Sequence, residues 1–305
     1  MKPKIVIILG PTAVGKSDLA LELSAHISGE IVNADSQQVY RYMDIGTGKP
    51  SIEDRECIRH HLIDVVNPDE EFNAAMFSQL ATEVIWQVHE RNHGVVVCGG
   101  TGLYIKALTR GLFRGPGQDP ELRQSFQREI DEKGLGPLYR RLFDLDPTVA
   151  SSIHPNDRQR TIRALEVFQL TGKPLSHWQR EHAFREEAFE ALKIGLNRER
   201  GELYDRINRR SERMIQDGLL EEVRALVNRG YSVDLKPLRS VGYLQMGRVL
   251  AGTQELPAAI EQMKQDTRRL AKRQLTWFRG DREVLWYHPN QRQEILETVN
   301  RFFSP

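Results

Sequence analysis

The segment GPTAVGKS at residues 10–17 sets glycines, a lysine and a hydroxyl at spacings that suit phosphate binding. Gly10 and Gly15 let the backbone turn so that successive N–H groups converge on anionic oxygen. Lys16 reaches the outer phosphate, and Ser17 offers its hydroxyl to Mg²⁺. Pro11, Thr12, Ala13 and Val14 complete the loop. Asp35, in IVNADSQQVY, is a carboxylate placed to bind a metal or to take a proton. Asp64, in HLIDVV, competes with it as a metal-ligating acid. In GGTGLY, Gly99, Gly100 and Gly102 permit close backbone approach and Thr101 adds a hydroxyl.

These groups need a scaffold that brings them to one rim. KIVIIL before the loop is a continuous apolar run, as expected of a parallel strand buried on both faces, and SDLALELSAHI after it has helical period. EIVNA, HHLIDVV and VVVC read as further strands. Asn73 is placed to cap a helix whose Phe77, Leu80, Val84, Ile85 and Val88 form one stripe. The alternation predicts an α/β fold, a P-loop NTPase-like parallel sheet flanked by helices, with ligands beyond the carboxyl ends of the strands. From about residue 120 to 186 only helical periodicity is visible, between Gly- and Pro-rich flanks. The expected organisation is a core of residues 1–112 and 190–305 with a helical insertion at 113–189. ALKIGL returns the chain to the sheet, and EVLWYH supplies a last strand.

Forty-three Lys and Arg nearly cancel forty-two Asp and Glu, so net charge says nothing about partners. The distribution is uneven. Arg158, Arg160 and Arg163 fall within HPNDRQRTIRALEV, Arg206, Arg209, Arg210 and Arg213 recur at helical spacing, and a basic stretch runs from Lys264 to Arg282. Each cluster alone fits a solvated helix face. No apolar run approaches the roughly 20 residues that span a bilayer. Two cysteines, Cys57 and Cys98, are too few for a disulfide framework or a four-cysteine zinc site, and a cytoplasmic setting is expected. Spacing alone leaves a small-molecule kinase and other phosphate enzymes equally open.

The blocks GPTAVGKS, NADSQQVYRYMDIGTGKP, GGTGLY, DPELR, HPNDRQRTIRALEV, LRSVGY and AKRQLTWFR occur in this order over nearly the whole chain. Together they resemble the bacterial tRNA dimethylallyltransferase (tRNA isopentenyltransferase) family. The resemblance implies that residues 10–17 hold the diphosphate of dimethylallyl diphosphate rather than ATP, with Mg²⁺ near Ser17. It implies transfer of the allyl group to N6 of adenosine 37 in the anticodon stem-loop of tRNA. Asp35 matches the family's general base, Thr101 a hydroxyl near the reaction, and Arg210 an arginine on the diphosphate, with Arg206 or Arg213 as the alternative. The resemblance also assigns tRNA contacts to Asp35, Ser36, Gln37, Gln38, Thr101 and Arg123, to Gln159, Arg160, Thr161, Ile162 and Arg163, and to Arg239, Ser240, Val241, Gly242 and Tyr243. The insertion would contact tRNA, and a monomer away from membranes is expected. Cys98 departs from the aliphatic residue expected before GGTG. The rival readings are an adenylate isopentenyltransferase, a P-loop small-molecule kinase and an RNA-binding switch.

Overall fold

The computed structural model describes residues 2–113, 115–182 and 188–304. Two compact units are present, Met1–Thr109 with Glu187–Pro305, and Arg110–Glu186. Each junction falls three residues before the one expected from sequence, at 110 rather than 113 and at 187 rather than 190.

Among the described residues the first unit holds one six-stranded sheet: β1 (Lys4–Leu9), β2 (Gly29–Asn33), β3 (His60–His61), β4 (Gly94–Gly99), β5 (Glu190–Leu196) and β6 (Leu285–Tyr287). Their order is β3-β2-β4-β1-β5-β6, and every pairing is parallel. The β1 strand is flanked on both edges and Ile5, Val6, Ile7 and Ile8 are fully buried, an environment that favours branched apolar residues at every position. HHLIDVV contributes only two residues of strand, because Leu62 and Asp64 take left-handed conformations (φ +60° and +56°) that break the extended run.

Helix α1 (Lys16–His26) follows the phosphate loop, α2 (Ile52–Cys57) lies ahead of β3, and α3 (Ala74–Glu90) ahead of β4. Asn73 caps α3 by accepting from the amides of Ala75 and Met76, and Phe77, Ala81, Ile85 and Val88 make its buried stripe. Helix α4 (Gly102–Arg110) leads from the sheet to the second unit.

The second unit comprises α5 (Pro120–Lys133), α6 (Gly136–Leu145), α7 (Pro147–Ala150), α8 (Arg158–Thr171) and α9 (Leu175–His182). Asp119, Asp146 and Asp157 cap α5, α7 and α8 through their carboxylates. Phe126, Leu138, Leu142, Val149 and Leu165 give this unit a core of its own.

The chain re-enters the first unit through β5 and continues with α10 (Arg200–Gln216), α11 (Leu219–Asn228), α12 (Tyr243–Leu250), α13 (Leu256–Arg279) and α14 (Arg292–Phe303). Ile207 of α10 and Ala271 of α13 join Val6, Ile8, Leu23 and Ile194 in one buried cluster, so helices far along the chain pack beside the first strand.

Candidate active site

The loop at residues 10–17 leaves β1 in a conformation fixed by its glycines. Gly10 has φ +145°, and a Cβ there would lie 2.6 Å from the Leu196 carbonyl oxygen on β5. Gly15 has φ +107° and Ala13 is also left-handed at +64°. The loop's carbonyls are held by cations: Pro11 accepts from Lys16 Nζ at 2.8 Å, Ala13 from Arg206 Nε at 2.9 Å, and Val14 from Arg198 Nε at 3.0 Å. The amides of Ala13, Val14 and Gly15 donate to no group among the described residues. With the N-terminus of α1 beside them, they form a concave set of donors suited to an anion.

Below this loop the carboxyl ends of β1, β2 and β4 surround a cavity lined by Lys16, Ser17, Asp35, Gln38, Arg210 and Gln274, with Cys98 at its wall. Burial holds the Lys16 amine down to about 8, with the charge of Asp35 working the other way. Arg210 is likewise lowered by burial, again opposed by Asp35. The Cys98 thiol is pushed up to about 11 by burial, so it stays neutral near pH 7. Arg210 makes neither a hydrogen bond nor an ion-pair contact with the described residues, and Lys16 bonds only a carbonyl. Two cations thus share a cavity with a single carboxylate, an excess of positive charge suited to an anion.

The Lys16 value fixes a pH dependence. The protonated amine is the form that binds anions, so affinity for an anion at this site should fall as pH rises through about 8, by up to ~10-fold per unit, with proton uptake on binding above that pH. Stability of the free protein should move oppositely. The unfolded chain holds this proton up to the ordinary value of 10.5, so the desolvation penalty on Lys16 is relieved between about 8 and 10.5. Calorimetric titrations in buffers of differing ionisation enthalpy will show the linkage, and Lys16→Met will abolish it.

Asp35, two residues beyond β2, does two things. Its Oδ1 accepts from the Gln37 amide at 2.9 Å and closes a turn, while Oδ2 accepts nothing from the described residues. Thr101 Oγ1 accepts from the Ser36 amide at 2.9 Å, tying the segment after β2 to the one after β4. Gln38 Nε2 donates to the carbonyls of Thr47 (3.2 Å) and Gly48 (3.1 Å). Gln37 Oε1 is buried without a donor.

Of the three arginines left open by sequence, Arg210 lines the cavity, Arg206 grips the loop from outside, and Arg213 is exposed on the same helix. Asp64 is engaged elsewhere, with Lys49 at 2.6 Å and Arg55 at 3.0 Å, and does not line the cavity. The metal-ligating role considered for it therefore has no geometric basis.

In the helical unit, Gln159 and Arg160 are exposed. Arg123 donates to Glu166 twice, at 2.7 and 2.9 Å, and Arg163 donates to Glu166 at 2.6 Å and to the Pro116 carbonyl at 2.8 Å. Glu166 is fully buried, so both guanidiniums neutralise an internal carboxylate and hold its pKa below the usual range against the opposing effect of burial. Thr161 is also fully buried and donates to the Asp157 carbonyl, while Ile162 packs on the unit's core. Of the second stretch, Arg239 is exposed and pairs with Asp234, and Ser240 donates to the Pro237 carbonyl. Val241 is half-buried, Gly242 is left-handed, and Tyr243 is only 1% exposed with its hydroxyl on Glu222. Thr161 and Tyr243, both expected to contact tRNA, have their side chains inside the protein.

Sequence reading gave no role to Gln274, Glu222 or Arg198. Gln274, on α13, accepts from the Thr12 amide at 2.9 Å and donates to the Gly100 carbonyl at 3.0 Å, joining the loops after β1 and β4. A Cβ on Gly100 would collide with its amide nitrogen. Its position inside AKRQLTWFR was the available signal.

A model described as IPPT, IPP transferase, matches residues 38–281. The tRNA dimethylallyltransferase of Geobacter metallireducens is 49% identical over 303 residues, covering 99% of this chain and 98% of that protein. The tRNA dimethylallyltransferase 2 of Syntrophus aciditrophicus is 48% identical over 302 residues, 99% of this chain and 97% of that one. Among solved structures, the full-length tRNA isopentenylpyrophosphate transferase of Bacillus halodurans superposes with a TM-score of 0.73 at 39% identity, covering 99% of this chain and 97% of that chain. A eukaryotic dimethylallyltransferase captured acting on tRNA superposes at 0.80 and 28% identity, with 98% and 79% covered.

Proposed function

The chain belongs to the IPP transferase family, and from that premise we propose that it transfers the dimethylallyl group of dimethylallyl diphosphate to N6 of adenosine 37 in tRNA, releasing pyrophosphate. The observation that carries this reading is the cavity in which Lys16 and Arg210, neither of them paired with a carboxylate, face Asp35 and its unbonded Oδ2.

In the reaction the allylic carbon–oxygen bond breaks with its electron pair going to the diphosphate, while the N6 lone pair forms the new carbon–nitrogen bond. The loop amides, Lys16 and Arg210 meet the charge that grows on the leaving oxygen, and stabilise it more as the bond breaks. Asp35 Oδ2 accepts the proton that N6 must lose, which matters because the N6 lone pair is delocalised into the ring. The donor set also fits magnesium. Ser17 lines the cavity, and an ion of this kind is held mainly by substrate phosphates and water. Held by Ser17 and the diphosphate, Mg²⁺ would supply further charge neutralisation to the leaving group.

The acceptor base must leave its stack to reach Asp35. Gln37, with its unsatisfied buried oxygen, lies two residues from the base and would meet an N–H of the incoming nucleotide. Gln159, Arg160 and Arg239 are exposed and would take backbone phosphate, with the helical unit holding the anticodon stem-loop. Ser36, Gln38, Thr101, Arg123 and Arg163 act behind them by fixing loops and helix ends. No described helix is long and apolar enough to cross a membrane, and the proposed reaction, with tRNA as acceptor, is a cytoplasmic one.

Incubation with labelled dimethylallyl diphosphate and Mg²⁺, without ATP, tests the proposal. Label in unmodified tRNA and not in AMP is the expected result. Label in AMP, or in neither, would refute it.

A further inference from the structure

We propose that Glu222 is a positioning residue that sets the place of Arg210 by clamping the loop at residues 44–48, with Tyr243 as its partner. The inference rests on the donor site described above and concerns Glu222 and Tyr243, which do not line the cavity.

Glu222 sits in the first turn of α11, and its carboxylate is used by the loop. Oε2 accepts from the amides of Asp44 at 2.9 Å and Ile45 at 2.7 Å, and Oε1 from the amide of Gly46 at 3.2 Å. Three successive N–H groups converging on one anion form a nest, here filled from within the protein. Oε1 also accepts from the Tyr243 hydroxyl on α12 at 2.5 Å. The Tyr243 ring and Leu219 occupy the space a side chain at Gly46 would need; an added Cβ would lie 2.8 Å from Leu219. Both oxygens of Glu222 are therefore committed, and the loop's near end is fixed by charge and by shape.

The far end of the loop is the cavity wall. Gly48 has φ +60°, and a Cβ there would overlap the Arg210 guanidinium, so this glycine leaves the room that the arginine occupies. Gln38 bonds the carbonyls of Thr47 and Gly48, and buried Lys49 donates to the Tyr40 carbonyl and to Asp44 and Asp64. These bonds hold the loop against the strand-end segment but not against α10. Arg210 has no hydrogen bond of its own to the described residues, so packing against Gly48 is what sets the position of its head group. A shift of the loop at Glu222 reaches the cavity at Gly48. A carboxylate is required because an amide at this position accepts through one oxygen and would turn an N–H toward the loop's own N–H groups.

The test is a double-mutant cycle read by calorimetric binding of inorganic pyrophosphate with Mg²⁺, together with KM and kcat for the labelled donor. Glu222→Gln should weaken pyrophosphate binding about tenfold and raise the donor KM to match, the scale of losing one set of charge-assisted bonds. At saturating donor and tRNA, kcat should fall as well, because Arg210 stabilises the leaving diphosphate more as the bond breaks, and circular dichroism should show a folded protein. On an Arg210→Ala background the same substitution should add less than about twofold, because the group it positions is gone. A structural role alone would lower the melting temperature without moving the affinity of the folded fraction, or would give the full tenfold loss in both backgrounds; either result overturns the inference. Should Glu222→Gln not fold, Tyr243→Phe, which removes one donor and keeps the ring, carries the same cycle with a smaller effect of about threefold. A wild-type protein that does not bind pyrophosphate would instead count against the proposed function.

Discussion

Asp35→Asn will turn over about 10²–10⁴-fold more slowly than the wild type while binding both substrates, the range expected when a positioned proton acceptor is lost. Asparagine is the informative replacement because of what Asp35 already does. Its Oδ1 accepts from the Gln37 amide and holds the turn that follows β2, and an asparagine oxygen can do the same. The ability to take a proton disappears. The substitution also removes the charge that favours the protonated forms of Lys16 and Arg210 but opposes an incoming anion. Donor affinity should therefore be unchanged or slightly tighter, an outcome that damage to the site would not give. Single-turnover rates with prebound tRNA decide the matter. A rate within about threefold of the wild type removes Asp35 from the role of base.

The second large effect belongs to Arg210. Arg210→Ala will weaken donor binding by about 10- to 100-fold, the scale of hydrogen bonds to a charged group. Product pyrophosphate will lose affinity by the same factor. Arg210→Lys will recover part of the loss, since an ammonium supplies charge but not a planar fork. Arg213→Ala will stay within about twofold, because that side chain is exposed and lines no part of the cavity. Arg206→Ala will fall between them through its bond to the Ala13 carbonyl, at 2.9 Å. Equal losses at 210 and 213 in calorimetric titrations would mean that the cavity is not where the diphosphate binds.

The chemistry nearest the strands was legible because it is local. Gly10 opens the loop after an apolar run and Lys16 and Ser17 open the helix behind it, Asp35 follows the next strand, and Thr101 follows the fourth, so reading the elements was enough to put them on one rim. Arg210 could not be separated from Arg206 and Arg213 that way. Positions three or four apart share a helix face, and only the packing of α10 decides which one turns inward. Gln274 and Glu222 were harder still, since each holds a loop roughly 180 residues or more away along the chain, as Thr12 with Gln274 and Asp44 with Glu222. DSQQVY and IGTGKP stand out in the sequence, but in the structure much of that distinctiveness is scaffold. Lys49 is buried under three acceptors, and Gly46 and Gly48 are the spaces left for Tyr243 and Arg210. The arginines of the helical unit teach the converse point. Arg123 and Arg163 read as surface charge until buried Glu166, within one turn of Arg163 but 43 residues from Arg123, is seen to claim both.

The phosphate loop is encoded in the first seventeen residues, yet its shape is secured by Arg198, Arg206 and Gln274, and its strand lies between β4 and a partner that begins at Glu190. A nascent chain leaving the ribosome therefore carries the anion-binding sequence long before it carries the groups that shape it. On the proposed function, the first half of the polypeptide should bind pyrophosphate far more weakly than the whole chain. Competence arrives late in synthesis, when α13 emerges and its glutamine closes over Thr12. Such long-range closure is the kind that slows folding, and it ties the onset of ligand binding to completion of the sheet.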